Sequence, residues 1–141
     1  MTQRTEGEIR LRVRYAETDQ MGVVYHANYL VWCEIGRTEL MRQLGFAYAD
    51  VEASGVMLAV ADASVRYGRA ARYDDAILVR TRVAAVQSRT ITFDYTILKE
   101  SDGEPEPLAT ASTRLIAIDR SGATRRLPAD LLERFRSHAI D

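Results

Sequence analysis

Residues 29–44 read YLVWCEIGRTELMRQL, and their pattern decides the predicted fold class of the chain. Six of these residues recur at helical spacing, and Gly45 suits the left-handed position just past a helix end. Other apolar side chains surround the first half of the segment, so the predicted helix is apolar on most sides and therefore buried. Gly36 costs roughly 1 kcal/mol against alanine inside a helix, which indicates close packing against another backbone. The recurring residues are Leu30, Cys33, Arg37, Leu40, Met41 and Leu44.

Strand patterns lie on both sides of this helix. IRLRVRY at 9–15 alternates between apolar residues and arginines, the period of a strand with one buried face. After Gly55, four strand patterns follow one another with short turn-like connections, which predicts an antiparallel meander. A short terminal helix is predicted at 127–135, with Pro128 near its first turn. The four strands are predicted at 57–67, 76–86, 90–100 and 108–118.

This order of elements predicts an α+β fold. A single helix is buried on most of its sides only if a strongly curved sheet wraps around it. An open sheet of about five strands leaves an edge, and pairing with a second copy of the chain would cover that edge. We therefore expect one domain over residues 1–141 that forms a homodimer, or a homotetramer built from two dimers.

The composition is typical of a soluble globular protein, with 47% apolar and 28% charged residues. Lys+Arg 19 against Asp+Glu 20 leaves no basic excess that would favour nucleic acid. No apolar run reaches the ~18 residues needed to span a bilayer, and the polar start lacks the apolar core of a secretion signal. Cys33 is the only cysteine, which is typical of a reducing cytoplasm. We expect a cytoplasmic protein without a membrane span.

The sequence contains no recognisable metal or nucleotide motif. His26 and His138 are its only histidines, and they are far apart in the chain. No glycine-rich phosphate loop is present. We therefore expect neither a bound metal nor a resident cofactor.

Most of the chemically unusual residues lie in ETDQMGVVYHANY, residues 17–29, directly before the predicted helix. Hydrolysis of a thioester creates negative charge on a carbonyl oxygen, and unpaired N–H groups at a helix N-terminus can stabilise it. Gly22 would let the backbone approach a ligand, and Asp19 could attack the carbonyl or take a proton from water. Spacing alone leaves open the commoner role of such an aspartate, which is to cap a turn. Asn28 is expected to cap the helix, with a substrate contact as its second role.

The longer stretch YAETDQMGVVYHANYLVWCEIGRTEL resembles the 4-hydroxybenzoyl-CoA thioesterase family, especially its bacterial acyl-CoA thioesterase branch. VRYGRAARYDD and SRTITFDY resemble later strands of that family, so the likeness extends over roughly residues 8–120. It implies the hotdog fold, in which a curved antiparallel sheet wraps around one long helix. It also implies an enzyme that splits an acyl-CoA into a free acid and coenzyme A, which is part of the substrate.

The resemblance also implies the roles of individual residues. In that family the aspartate of this loop is the catalytic carboxylate, which makes Asp19 the expected nucleophile or general base. Backbone N–H groups around Tyr25, His26 and Ala27 would polarise the thioester carbonyl, and the His26 ring is a further catalytic candidate. The acyl group would run along a dimer interface, with the CoA nucleotide near basic residues of the partner. The expected substrate contacts are Gly22, Val24, Asn28 and Glu34, and the expected CoA contacts are Arg66, Arg69, Arg89 and Thr90.

Several alternatives stay open at this point. Histidine at position 26 matches the branch that acts on short-to-medium acyl groups, where the hydroxybenzoyl enzyme has tyrosine. Glu34 could instead pair with a neighbouring arginine, and Cys33 is expected to be a small core residue rather than a nucleophile. The alternative functions are a hotdog hydratase or dehydratase and a non-catalytic acyl-CoA-binding module. The sequence does not determine acyl length, or whether CoA or acyl carrier protein is the donor.

Overall fold

The computed structural model describes residues 6–138, which form one five-stranded antiparallel sheet with helices packed against it. Residues 1–5 and 139–141 of the predicted domain lie outside this range. The strands are β1 Glu6–Arg12, β2 Met57–Tyr67, β3 Ala76–Val86, β4 Thr90–Lys99 and β5 Glu106–Ile118. The helices are α1 Asn28–Gln43, α2 Tyr48–Ala53 and α3 Ala129–His138, and a single 3-10 turn spans Tyr15–Glu17. Within residues 6–138, none of these helices has the length and apolar character needed to cross a membrane.

Most elements lie where the sequence predicts them. β2 and β3 have the predicted bounds, and α1 begins one residue earlier than predicted. β1 both begins and ends three residues before the predicted strand. The six-residue helix α2 was not predicted, because a segment this short carries too few turns for a clear helical period.

The order of strands in the sheet is β1-β3-β4-β5-β2. Only β3, β4 and β5 form a meander. β2 lies at the edge opposite β1 and pairs with β5, Met57 with Ile118 and Tyr67 with Ala109. The predicted four-strand meander is therefore wrong for β2, because a turn-like connection marks where a strand ends but does not identify its partner.

α1 lies across one face of the sheet, called here the inner face, and it packs tightly against β3 at Gly36. A Cβ at this position would lie 2.5 Å from Thr81 Oγ1 and 3.0 Å from Val79 Cγ1. The predicted close packing at Gly36 is present, although its neighbours are side chains of β3. Any larger residue would push α1 away from the sheet.

The structure has the predicted α+β hotdog arrangement, but within one chain α1 is buried along one face only. Leu30, Val31 and Ile35 on its other face are 36%, 43% and 45% exposed. Val60, on the inner face of β2, is 50% exposed. These apolar residues face what we call the open side of the molecule, between α1 and β2. The buried residues of α1 are Tyr29, Trp32, Cys33, Gly36, Leu40 and Met41.

Candidate active site

Residues 18–24 form a tight hairpin that holds Asp19 near its start, and the two ends of the hairpin pair as an isolated β-bridge. The Asp19 N–H donates to the Val23 carbonyl over 2.9 Å, and the Gly22 N–H donates to the Asp19 carbonyl over 3.0 Å. Gly22 has a φ of 78°, a region that favours glycine. A Cβ on Gly22 would meet nothing within 4 Å. Glycine is therefore required here for its backbone conformation rather than by crowding within the chain.

The Asp19 carboxylate uses one of its two oxygens to stabilise this hairpin. Oδ1 accepts the Met21 N–H over 2.8 Å, the bond typical of an aspartate in a turn. Within residues 6–138, no group donates a hydrogen bond to Oδ2. The turn-capping role and a chemical role are therefore compatible, because the second oxygen keeps its lone pairs for substrate or water.

The backbone directly after the hairpin provides two N–H donors. α1 begins at Asn28, with Ala27 in the N-cap position. The Tyr25 N–H donates to the Glu17 carbonyl over 2.8 Å and is therefore occupied. The N–H groups of His26 and Ala27 find no acceptor within the described residues, as is usual in the first turn of a helix. Of the three expected donors, these two are available to a ligand.

Glu17 anchors the hairpin to α1, and the sequence analysis did not single it out. Glu17 is only 5% exposed. Its Oε1 accepts the Arg14 N–H over 2.8 Å, and its Oε2 accepts the Trp32 Nε1–H over 2.9 Å. Its carbonyl accepts the Tyr25 N–H and, over 2.9 Å, the side-chain amide of Asn28. Through these bonds to its buried carboxylate and its carbonyl, Glu17 holds the hairpin and the start of α1 together. In the sequence Glu17 lies in a charged stretch typical of a surface, so only the contact with Trp32 reveals its role.

The prediction that Asn28 caps α1 is wrong. Ala27 occupies the N-cap position, and no side chain bonds to the backbone from it. Asn28 is instead the first helical residue, and its amide donates to Glu17, on the hairpin side of the helix start. Its observed role is to connect the helix to the hairpin.

The expected substrate contacts do not share one surface within the chain. Gly22 lies exposed on the hairpin, whereas Val24 is 4% exposed and its N–H donates to the Ala71 carbonyl over 2.9 Å. Val24 therefore anchors the hairpin rather than facing the open side. Glu34 lies further along α1 and lines a cavity of about 310 Å³ together with residues of α2, β2 and β5. Within residues 6–138, Glu34 forms no salt bridge, so the alternative pairing with an arginine is not observed.

His26 lies at the exposed start of α1 among aromatic rings. Its ring centroid is 4.5 Å from that of Tyr25 and 6.3 Å from that of Tyr67. The Tyr67 hydroxyl donates to the His26 carbonyl over 2.8 Å, and the Tyr67 ring packs edge-on against Tyr29 with centroids 5.2 Å apart. Tyr67 is the last residue of β2 and was not among the predicted site residues. The sequence signal for it was only an aromatic residue at a strand end.

Among the residues that the structure describes, the side chains suited to thiol or metal chemistry form no second site. Cys33 is fully buried, and this burial raises the pKa of its thiol to about 12, opposed by the charge of Arg37. Such a thiol stays protonated near neutral pH and is a poor nucleophile, as expected for a core cysteine. Within residues 6–138, no three His, Cys, Asp or Glu side chains are placed to hold a metal ion.

The expected CoA contacts fall into two groups at opposite ends of the sheet. Arg66 of β2 pairs with Thr110 of β5, whereas Thr90 of β4 pairs with Ile116 of β5. From 110 to 116 is six residues, or about 20 Å along a strand. Arg66 also points away from the inner face, because its neighbour Tyr67 points toward α1 and successive strand residues alternate.

The remaining expected CoA contacts already have partners within the chain. Arg69 forms a salt bridge with Glu106, and Arg89 donates to the Thr124 hydroxyl over 2.8 Å. Thr90 is 8% exposed. These four residues therefore form no single basic surface within one chain.

This chain is similar to known thioesterases in both sequence and fold. The family model of the thioesterase-like superfamily matches residues 13–135. The putative acyl-CoA thioesterase YneP of Bacillus subtilis is 44% identical over 110 residues, which is 78% of either chain. The acyl-CoA thioester hydrolase YbgC of Escherichia coli O157:H7 is 30% identical over 127 residues, covering 89% of this chain and 92% of that one. The crystal structure of DHNA-CoA thioesterase from Staphylococcus aureus superimposes with a TM-score of 0.88 at 34% identity, covering 94% of this chain and 89% of that one.

Proposed function

The chain belongs to the thioesterase-like superfamily and is an acyl-CoA thioesterase, and we propose that it hydrolyses short-to-medium or aromatic acyl-CoAs with Asp19 as the reacting carboxylate. One observation carries this proposal. Among residues 6–138, no group donates a hydrogen bond to Oδ2 of Asp19, and the hairpin leads directly into two N–H groups at the start of α1 that find no acceptor. Thioester hydrolysis needs a group that attacks or activates water, and donors for the developing oxyanion.

Asp19 can act by two routes. As a nucleophile, its carboxylate attacks the thioester carbon, the C–S bond breaks with release of CoA, and water then hydrolyses the mixed anhydride. As a general base, it takes a proton from water, the hydroxide attacks the same carbon, and the C–S bond breaks as the tetrahedral intermediate collapses. An enzyme mass increased by one acyl group after rapid quenching would identify the nucleophilic route.

The N–H groups of His26 and Ala27 serve both routes. In each, the carbonyl oxygen becomes negative, and these donors lie where the positive end of the α1 dipole adds to the stabilisation. The His26 ring, on the exposed side of the helix start, is a further candidate for contact with the thioester or with water.

A second copy of the chain would complete the site. β2 is an eleven-residue edge strand, and its exposed inner face adjoins the apolar face of α1 that carries Leu30, Val31 and Ile35. Antiparallel pairing of β2 with its counterpart would cover this edge and enclose the open side. The mass in solution tests this: two or four times the chain mass is expected, and an active monomer would contradict it.

We propose further that the enzyme needs no metal or resident cofactor and that it is cytoplasmic. Asp19 would supply the nucleophile or base and the two N–H donors would stabilise the oxyanion, so we expect turnover to survive a metal chelator. A cytoplasmic location accords with the reduced, buried Cys33.

Release of thiol from short, medium, long and aromatic acyl-CoAs tests the function. We expect the wild type to turn over, fastest with short-to-medium chains. We expect Asp19→Asn to lose about 10²–10⁴-fold in kcat, because an amide neither attacks nor accepts the proton. A wild type that releases no thiol would contradict the hydrolase, and an unchanged rate in Asp19→Asn would contradict the role of the carboxylate.

The same experiment separates the two alternatives. A hydratase or dehydratase would convert an enoyl thioester without releasing thiol. A binding module would hold acyl-CoA tightly without turnover, and its affinity would not change in Asp19→Asn.

A further inference from the structure

We propose that Tyr67 is a positioning residue for this reaction: its hydroxyl holds the peptide between His26 and Ala27 and thereby aims the Ala27 N–H at the substrate carbonyl. This inference rests on the proposed function, since the direction of that N–H matters for the rate only if a thioester binds there.

The geometry of one peptide group connects the hydroxyl to the donor. The His26 carbonyl and the Ala27 N–H belong to the same planar trans peptide, so they point in opposite directions. Tyr67 donates to this carbonyl over 2.8 Å, whereas the Tyr29 N–H reaches it over 3.3 Å. The shorter of the two bonds that orient the peptide therefore comes from β2 and not from α1 itself.

Tyr67 is in turn held by the core. Its ring meets Tyr29 at an interplanar angle of 86°, and Tyr29 is 2% exposed. The Tyr29 hydroxyl accepts the Ala71 N–H over 3.0 Å, which fixes that ring. The pKa of Tyr67 is raised by its partial burial and by the neighbouring Tyr29 and Cys33, so its hydroxyl keeps the proton that it donates.

Two physical effects follow from this bond. Orientation comes first, because a donor already aimed at the developing oxyanion needs no reorganisation during the reaction. Polarisation comes second, because a hydrogen bond to the carbonyl of an amide strengthens the N–H of the same amide as a donor. Both effects increase as charge develops on the carbonyl oxygen, so the hydroxyl should influence kcat more than KM.

Tyr67→Phe tests the inference, because it removes the hydroxyl and keeps the ring. We expect kcat to fall about 10-fold with KM changed less than about twofold, a smaller loss than the ~10²–10³-fold for removing an oxyanion donor. Tyr73→Phe is the matched control. Tyr73 also makes an edge contact, 5.7 Å from the Tyr15 ring, and its hydroxyl has no hydrogen bond among residues 6–138.

The amide resonance of Ala27 provides a readout that does not depend on turnover. We expect it to shift in the ¹H–¹⁵N spectrum of Tyr67→Phe and to stay in place in Tyr73→Phe. An unmoved resonance would contradict the inference, and so would a rise in KM with kcat unchanged. If the wild type releases thiol and Tyr67→Phe matches its rate, this inference alone fails. If the wild type releases no thiol, the proposed function fails and the inference fails with it.

Discussion

Two hairpins of this chain share one backbone geometry and differ in their surroundings. DQMGV at 19–23 and DRSGA at 119–123 each begin with an aspartate whose N–H donates over 2.9 Å to the carbonyl of the last residue. In each, the glycine N–H returns to the aspartate carbonyl, and the glycine φ is 78° in one and 86° in the other. Each aspartate also accepts, through Oδ1, the N–H of the residue two positions on. The flanking residues of both hairpins pair as an isolated β-bridge.

The carboxylate of Asp119 is fully occupied. Its Oδ1 also accepts the Ser121 hydroxyl over 2.6 Å and the Ala123 N–H over 3.1 Å, and its Oδ2 accepts the Arg125 Nε–H over 2.7 Å. The Ser121 hydroxyl, and after it the Arg125 guanidinium, hold the pKa of Asp119 well below its usual range. This aspartate stabilises its hairpin and has no oxygen left for a ligand.

Asp19 has different neighbours at the corresponding positions. Met21 replaces the serine and Tyr25 replaces the arginine, and neither side chain donates to the carboxylate. After this hairpin the chain enters α1 through two N–H groups that find no acceptor in the described part of the chain. Capping a turn is therefore compatible both with the structural role of Asp119 and with the reactive role that we propose for Asp19. The distinction lies in which carboxylate oxygens stay free and in what the hairpin leads into.

Replacing each aspartate by asparagine should produce the largest difference between the two hairpins. We expect Asp19→Asn to lose about 10²–10⁴-fold in kcat and Asp119→Asn to stay within about twofold of the wild type. The melting temperature should fall more in Asp119→Asn than in Asp19→Asn. Asp119→Asn loses its ion pair with Arg125, whereas an asparagine at position 19 still accepts the Met21 N–H. Steady-state thiol release and thermal unfolding of both variants measure this. Equal losses of activity would refute the distinction between the hairpins.

Met21→Ser would make the first hairpin resemble the second and should have a smaller effect. A serine here is expected to donate to Asp19 Oδ1 as Ser121 does to Asp119, which stabilises the carboxylate and makes it a weaker nucleophile and base. We expect kcat to fall about 3- to 10-fold. Met21→Ala, which adds no hydroxyl, is the control and should keep the wild-type rate. If Met21→Ser turned over faster than the wild type, an added hydrogen bond to Asp19 would not weaken the reaction, and the prediction would be wrong.

The smallest expected effect concerns stability in acid. The pKa of Asp119 is lowered in the folded protein, so its contribution to the free energy of unfolding is present above about pH 4, the usual pKa of an unfolded aspartate. That contribution is lost as the pH falls further, toward the lowered pKa of the folded state. The melting temperature of the wild type should exceed that of Asp119→Asn at pH 7, and the difference should close on acidification. If the two melting temperatures moved further apart in acid, the lowered pKa of folded Asp119 would be contradicted.

Much of the fold could be predicted because its signals are local. The bounds of β2 and β3 follow from strand-like runs of eleven residues that are bounded by turn-like segments. The edge position of β2 could not be predicted, because it depends on a pairing with β5 that lies some fifty residues away. The sequence motif pointed to the connection that contains Asp19, and its resemblance to a family suggested a role for that residue.

The neighbours that position the hairpin became visible only in the structure. Glu17 reads as a surface acid, yet it is buried through a bond to Trp32 fifteen positions away. Tyr67 meets the His26 carbonyl across 41 positions. No local pattern records such contacts, because each depends on how separate segments pack.

The sequence alone indicated the five strands and the two longer helices, and it placed an aspartate and a glycine in the connection that leads into a long apolar helix. Those properties follow from backbone preferences and from periodicity over a few residues. Only the folded structure shows three further features among residues 6–138. Oδ2 of Asp19 accepts no hydrogen bond, the N–H groups of His26 and Ala27 find no acceptor, and one face of α1 lies open beside the edge strand β2. The physical reason is that burial and hydrogen-bond satisfaction are set by contacts between distant segments, and these exist only once the chain has packed.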